Sequence, residues 1–123
     1  MKVITVRPPW ADAIACGAKR FETRSWPTSY RGALAIHAGG GDLLQIRDFL
    51  GVSEFQRALT PLIGRPLDLA AEPAWCGVTA DDVHRGAVVA VCRLEDCVPT
   101  VEIPPRAYQR EERLGDFSSG RYA

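Results

Sequence analysis

Hydrophobic and polar residues follow two different periods along the first third of the chain, which predicts strands alternating with a helix. The β-branched run KVITV (2–6) predicts a strand, and the prolines of RPPW end it because proline cannot donate to a sheet ladder. Helical spacing follows in WADAIACG (10–17), with Gly17 as a C-terminal stop. KRFETRSW (19–26) returns to an extended pattern, and ALAIHA (33–38) predicts a buried strand.

The central part of the chain predicts two helices and little other regular structure. Residues 42–51 have apolar side chains at helical spacing, with Asp42 as a candidate N-cap. Residues 53–64 predict a weaker helix that Pro61 interrupts. The pattern then becomes irregular over 65–83, apart from a short turn near TADD.

The strongest strand signal in the chain is RGAVVAVCRLEDCV (85–98). Its nearly continuous apolar character predicts that both faces of the strand are covered. PTVEIPP (99–105) predicts a short extended piece closed by prolines, and the sequence then runs polar to its end.

This order of elements indicates the α+β class in a single domain over residues 1–123. The helices are too few for a doubly wound sheet. We therefore expect a small β-barrel or curled sheet with flanking helices on its rim.

The formal net charge of the chain is zero, but its charged residues are unevenly distributed along the sequence. The chain has 15 Lys and Arg against 15 Asp and Glu, which argues against a broad basic face that coats duplex DNA. Residues 1–31, however, contain six cations and two carboxylates, and the remainder nine cations and thirteen carboxylates. A locally positive site on a neutral body suits a small anionic ligand or a short nucleic-acid segment.

The cysteines and histidines give no sign of a metal centre. The four cysteines form no CxxC motif, and the two histidines do not stand at metal-ligand spacing, so we expect no metal and no cofactor. Cys16 and Cys92 lie in apolar runs, where a thiol acts as a small hydrophobe. With no signal peptide and no apolar run of membrane-spanning length, we expect no membrane partner and a reducing, cytoplasmic location.

Residues 7–37 resemble the ASCH domain family. Gly17-Ala-Lys-Arg-Phe-Glu-Thr-Arg24 is similar to the family's GxKxxExR signature, and we call residues 17–24 the signature segment. The flanks resemble the family as well: PPW (8–10) its QPW, and RSWPTSYRGALAIHA (24–38) its RSWxTxYRGxLxIHA. Residues 85–98 resemble a later barrel strand, and GDFSSGRYA (115–123) resembles GDFSPGRYAW.

The resemblance implies a PUA-like β-barrel with a cleft beside the signature segment. Related members are implicated in binding RNA or DNA in that cleft, and a few small ones act as nucleases or as amidohydrolases on modified nucleosides. Two departures from the family pattern concern the closing strand and the nucleophile.

The sequence stops at Ala123, where the family continues with Trp and a closing strand. That strand is therefore expected to be missing, supplied by another chain, or removed. Amidohydrolase relatives also have a threonine three residues after the lysine, where this chain has Glu22. Thr23 is one residue off, which in a strand is the opposite face.

The candidate site residues come mostly from the signature segment. A strand would place Arg20, Glu22, Arg24 and Trp26 on one face, and Lys19 at the preceding corner would reach in as a point charge for phosphate. Glu22 would orient Arg24 or Lys19, and in an enzyme Lys19 and Glu22 would be the catalytic pair. The nucleic-acid-binding set that we predict is Trp10, Lys19, Glu22, Arg24, Ser25, Trp26, Arg31, Asp116, Ser118 and Arg121.

Other residues of interest have a structural interpretation as well as a functional one. Trp10 and Trp26 are candidate stacking platforms for a base, Trp75 is expected to be structural, and His37 is expected to be a core histidine rather than a catalyst. Gly-Ser loops with an arginine can cradle phosphate, which brings in the GDFSSGRY segment.

Three functions fit these observations. The first is a binding module that holds single-stranded RNA, or an exposed nucleotide, in the cleft, with single-stranded DNA as a possible alternative ligand. The second is a small hydrolase, either a ribonuclease or an amidohydrolase on a modified nucleoside. The third is a protein-interaction module that uses an exposed strand edge. We expect a monomer or a weak dimer.

Overall fold

The computed structural model of the protein describes residues 1–62 and 78–123. Trp75 and Cys76, and most of the irregular stretch predicted over 65–83, lie outside these residues. The strands are β1 (Lys2–Val6), β2 (Gly32–Ala38) and β3 (Ala87–Leu94), and the α-helices are α1 (Trp10–Ala15), α2 (Leu43–Leu50), α3 (Ser53–Ala58) and α4 (Pro105–Tyr108). Short 3₁₀ turns lie at Thr60–Leu62, Ala80–Asp82, Thr100–Glu102 and Gln109–Leu114.

The three strands form one sheet in the order β1-β2-β3. β1 runs parallel to β2, pairing Lys2 with Leu34, and β3 runs antiparallel to β2, pairing Ala35 with Val91. Within 1–62 and 78–123 this sheet is open, so the α+β class is confirmed and the closed barrel is not.

One face of the sheet is covered and the other is largely exposed. α1 packs on the covered face, where Val6, Ala11, Ile36 and Ala38 form a buried cluster. On the opposite face Val88 and Val91 of β3 are 56% and 60% exposed, so the prediction that both faces of this strand are covered is wrong. No layer from the described residues packs on these valines.

A second core lies between α1, α2 and α3. Ile46, Leu50, Phe55 and Leu59 are buried there, and Asp42 caps α2 as predicted by accepting a hydrogen bond from Leu44 N. The buried Gln56 donates to the carbonyls of Leu50 and Val78 and accepts from the amide of Val78.

The predicted strand over 19–26 is irregular and does not join the sheet, because its backbone groups have other partners. The amide of Lys19 donates to Ala13 O, and the amides of Arg20 and Phe21 donate to the carboxylate of Glu111. Its strand-like contact is an isolated bridge between Arg24 and Tyr122. The signature segment is thus held between α1 and the C-terminal turns.

The end of the chain is more helical than its polar sequence predicts. Residues Thr100–Glu102 form a 3₁₀ turn rather than an extended piece. Pro105 occupies the first turn of α4, where its missing N–H costs nothing, and the turn Gln109–Leu114 follows. Glu111 and Leu114 are the buried residues of this turn.

Candidate functional site

A cleft of about 560 Å³ lies between the signature segment and the C-terminal turns. β1 ends at its rim, with Thr5, Val6 and Arg7, and Trp10 follows at the start of α1. Gly115 and Asp116 line the facing wall. Most of the charged residues of the signature segment therefore meet in one concave surface.

Two anchors hold the signature segment in place. Gly17, with a φ of +80°, ends α1 in the left-handed region that glycine adopts without strain. Glu111, which is 3% exposed, accepts from Arg20 N at 2.9 Å and from Phe21 N at 2.7 Å. The sequence analysis missed Glu111, since no periodicity marks one glutamate among the polar residues of the tail.

The amine of Lys19 lies at the floor of the cleft rather than at its rim. Lys19 is 2% exposed, and its Nζ donates to the carbonyl of Phe21 and lies 3.9 Å from Glu22 Oε2. Burial lowers the pKa of Lys19, against the opposing effect of the Glu22 and Glu111 carboxylates. Lys19 therefore reaches the cleft from its floor rather than from its rim, and its role toward phosphate stays a prediction.

Gly115 leaves the space that this buried amine occupies. A Cβ added at Gly115 would stand 3.2 Å from Lys19 Nζ and 3.0 Å from the ring of Phe117. A larger residue would push into the floor of the cleft.

Glu22 is the carboxylate on which the cations of the cleft converge. Its Oε1 lies 3.3 Å from Arg24 Nε, and its Oε2 faces Lys19. Burial raises the pKa of Glu22, and the charges of Lys19, Arg24 and Arg121 act in the opposite direction. The pKa of the Lys19 amine and that of the Glu22 carboxylate are therefore closer together at the floor of the cleft than in water.

Arg24 connects the signature segment to β1 and to Trp26. Its Nη2 donates to Thr5 O at 2.6 Å, and its guanidinium lies 5.8 Å from the centre of the Trp26 ring. Arg24 Nε is buried and has no hydrogen-bond partner in the parts of the chain that the structure describes. Its 3.3 Å approach to Glu22 is an ion pair by distance, but its orientation does not make a hydrogen bond.

The C-terminal wall is built around Asp116 and Arg121. Asp116 N donates to Thr23 Oγ1 at 3.0 Å, and Arg121 Nη2 donates to Thr23 O at 3.3 Å. Hydrogen bonds from the Ser118 side chain and backbone lower the pKa of Asp116, with a smaller contribution from the charge of Arg121. Arg121 Nε, like Arg24 Nε, is a buried donor without a described hydrogen-bond partner.

The structure brings most of the predicted nucleic-acid-binding residues together. Eight of them line the cleft: Trp10, Lys19, Glu22, Arg24, Ser25, Trp26, Asp116 and Arg121. Arg31 does not, because it pairs with Asp96 at 3.1 Å and braces the turn before β2. Ser118 lies behind the wall, where it supports Asp116.

Two predicted neighbours of Glu22 are placed differently from the strand pattern. Arg20 turns away from Glu22 and is 71% exposed at its side chain, 3.9 Å from Glu111. Thr23, which a regular strand would point to the opposite face, lines the cleft beside Glu22. The segment is not a regular strand, so the period of two does not hold there.

The two tryptophans at the cleft differ in how they are used. Trp10 packs edge-on against Phe49 and Phe55, with ring centres 4.4 and 5.5 Å away, so it is largely a core residue. Trp26 is 51% exposed and presents its ring to solvent. Trp26 is therefore the available platform for stacking.

Besides the anchor Glu111, sequence reasoning missed several residues that line the cleft. Thr5, Arg7, Arg113 and Gly115 line the cleft and were not in the predicted set. Arg7 could have been found, since it belongs to the excess of cations in residues 1–31. Arg113 lies in the polar tail, where the sequence has no local signal.

Two features are absent from the described parts of the chain: a cluster of metal-ligating side chains and a helix that could span a membrane. Within 1–62 and 78–123, no group of three or more His, Cys, Asp or Glu side chains is arranged to hold a metal ion. The helices in those same ranges are all too short or too polar to cross a bilayer.

A family model described as ASCH domain matches residues 4–114, which is nearly the whole chain. No curated protein matches the sequence.

Proposed function

We propose, from the premise that the chain belongs to the ASCH domain family, that this protein binds single-stranded RNA through one exposed nucleotide held in the cleft. The family is PUA-like and is often linked to RNA binding. The particular ligand and the use of this cleft are our proposal.

Five cations and two carboxylates line the cleft, and this excess of positive charge is the observation that carries the proposal. Lys19 and Arg24 flank Glu22, whereas Arg121 pairs with Asp116 at 3.3 Å. A cleft of about 560 Å³ is in the range of pockets that hold small ligands, about 300–1,000 Å³. Positive charge in a cavity of this size attracts a nucleotide more readily than a duplex, whose phosphates lie on a convex surface.

The chemistry of the cleft walls suits the two parts of a nucleotide. The exposed Trp26 ring can stack with a base, an interaction of about 1–3 kcal/mol that an unpaired base offers and a paired base does not. Arg24 Nε and Arg121 Nε lie 3.3 Å from the carboxylates of Glu22 and Asp116, but neither makes a hydrogen bond within the described residues. A phosphate oxygen would accept such a bond.

Fluorescence anisotropy with a labelled uridine dodecamer and a duplex RNA of equal length tests this proposal. We expect the single strand to bind more tightly, and the variant Arg24→Ala to weaken its binding about tenfold or more through loss of a charged contact. Arg47→Ala, an exposed arginine on α2 away from the cleft, is the matched control. Equal affinities of the two variants, or a preference for duplex, would contradict the proposal.

A second candidate function is hydrolysis of a nucleoside amide or of an RNA strand, and the Lys19–Glu22 pair favours it. The pKa of Lys19 is lowered and that of Glu22 is raised, which brings both groups closer to the range where a general base or acid works. Thr23 lines the same cleft, although it lies one position away from the family's threonine.

Incubation with acylated cytidine and with the uridine dodecamer, with and without divalent metal, separates the two functions. If the protein is a hydrolase, the wild type releases product, and the Glu22→Gln variant binds the ligand but releases none. A binding module retains the ligand and releases no product under any of these conditions.

A further inference from the structure

A second concave surface adjoins the cleft, and its charged lining is dominated by arginine. We call it the arginine groove. It has a volume of about 1010 Å³, and its arginines are Arg20, Arg57, Arg106, Arg110 and Arg113. All five are exposed.

The acidic residues of the arginine groove leave it with an excess of positive charge. Its carboxylates are Glu54, Glu111 and Glu112. The carboxylate of Glu111 is occupied by the backbone amides of the signature segment, and Glu54 Oε1 pairs with Arg113 Nε at 3.5 Å. Within 1–62 and 78–123, Arg57, Arg106 and Arg110 have no ion-pair partner.

The arginine groove and the cleft are adjacent and chemically different. Arg113 and Leu114 line both, while the signature segment separates them, with Arg20 on the groove side and Lys19 on the cleft side. The cleft offers the rings of Trp10 and Trp26, whereas no aromatic side chain from the described residues lines the groove. Stacking is thus confined to the cleft.

We infer that the arginine groove binds the phosphodiester backbone of the same RNA strand whose nucleotide occupies the cleft. This inference rests on the proposed function. Arginines without ring partners contact phosphates and position a strand, whereas base recognition needs stacking or edge contacts. The strand would pass from the cleft to the groove over Arg113 and Leu114.

A triple variant and a charge-matched control test the inference. R57Q/R106Q/R110Q removes the three groove arginines that have no ion-pair partner among the described residues. R47Q/R85Q/R93Q removes three exposed arginines that line neither the groove nor the cleft. Binding of the uridine dodecamer and of the dinucleotide UpU is measured over a range of salt concentrations.

The groove variant should lose about tenfold or more in affinity for the dodecamer, and the slope of log K against log salt should fall by about 2. Its affinity for UpU, which is too short to leave the cleft, should stay unchanged. The control should change both affinities less than about twofold, a long-range charge effect. R106Q/R110Q repeats the comparison with a smaller change, and thermal unfolding verifies that each variant is folded.

Two results would overturn the inference. In the first, the groove variant and the control bind the dodecamer equally, while Arg24→Ala still weakens UpU, so that the proposed function stands without the groove. In the second, polyglutamate of equal charge competes as well as the dodecamer for the groove, which makes it a general anion surface. If Arg24→Ala leaves UpU binding unchanged, the proposed function itself has failed.

Discussion

Lys19 Nζ lies 3.9 Å from Glu22 Oε2, with the lysine 2% exposed and the glutamate side chain 26% exposed. Burial acts on the two groups in opposite senses, lowering the pKa of the amine and raising that of the carboxylate. The net charge at the floor of the cleft therefore depends on whether Glu22 is ionised. As a result, the affinity of the cleft for anions should depend on pH.

Lowering the pH should strengthen binding of the dinucleotide UpU. The pKa of Glu22 is raised above its ordinary value of 4.5, so Glu22 takes up a proton at a higher pH than an exposed glutamate does. Protonation removes the negative charge beside Arg24 and Lys19, which is worth about 1 kcal/mol, or about fivefold in affinity. The phosphodiester itself does not titrate in this range, and calorimetry from neutral pH down to pH ~5 measures the change.

Glu22→Gln should bind UpU tightly at neutral pH and show no such rise on acidification. Glu102→Gln, an exposed position outside the cleft, is the control that should keep the wild-type profile. A pH dependence that persists in Glu22→Gln would assign the titration to another group.

Replacing the exposed indole should remove the stacking contribution to RNA affinity. Trp26→Ala should cost about 1–3 kcal/mol for the uridine dodecamer, and Trp26→Phe should recover part of the loss, since a smaller ring still stacks. Fluorescence anisotropy measures both. Leu44→Ala, at a position 66% exposed on α2, should leave affinity unchanged, and an equal loss there would point to a nonspecific effect.

Removing the buried carboxylate of Glu111 should destabilise the fold. Glu111→Ala leaves the amides of Arg20 and Phe21 buried without an acceptor, at a cost of about 2–4 kcal/mol in the free energy of unfolding. Glu111→Gln retains one oxygen acceptor and should lose less. Urea denaturation gives the values, and the exposed neighbour Glu112→Ala should stay within about 0.5 kcal/mol of wild type.

The side-chain amide of Gln56 should be equally important for the helical core. Gln56→Ala removes three hydrogen bonds to the backbone of Leu50 and Val78 and leaves those groups buried, which should cost about 2–3 kcal/mol. Gln45→Ala, exposed on α2, is the control. Comparable losses in the two variants would show that Gln56 contributes only helix propensity.

The strands and helices with one buried face were predictable, because burial of that face imposes a regular spacing of apolar residues. The strands β1 and β2 and the helix α2 with its Asp42 cap follow directly from the positions of apolar residues. The irregular piece at 19–26 was misread as a strand, because an extended pattern of residues alone does not reveal the hydrogen-bond partners of the backbone. Those partners come from Glu111, 91 positions away from Arg20.

The site was predictable on one side only. The signature segment concentrates charge within a few residues, so Lys19, Glu22 and Arg24 stand out in the sequence. The facing wall includes Gly115 and Arg113, and its sequence shows neither a hydrophobic period nor a cluster of charges of one sign. Its residues contribute to the site only through contacts that form in the folded protein. Asp116 and Arg121 of this wall were nonetheless predictable from the Gly-Ser loop that contains them together with the resemblance.

The hydrogen bonds from Glu111, Asp116 and Tyr122 to the signature segment also determine when the cleft can form during synthesis and folding. The floor of the cleft leaves the ribosome early, and its opposing wall follows about ninety residues later, as the separations of 91 and 93 positions require. Contacts this distant in sequence close late in folding. A nascent chain therefore acquires the complete cleft only after its C-terminal wall has been synthesised, and a shorter nascent chain has the floor without the wall that faces it.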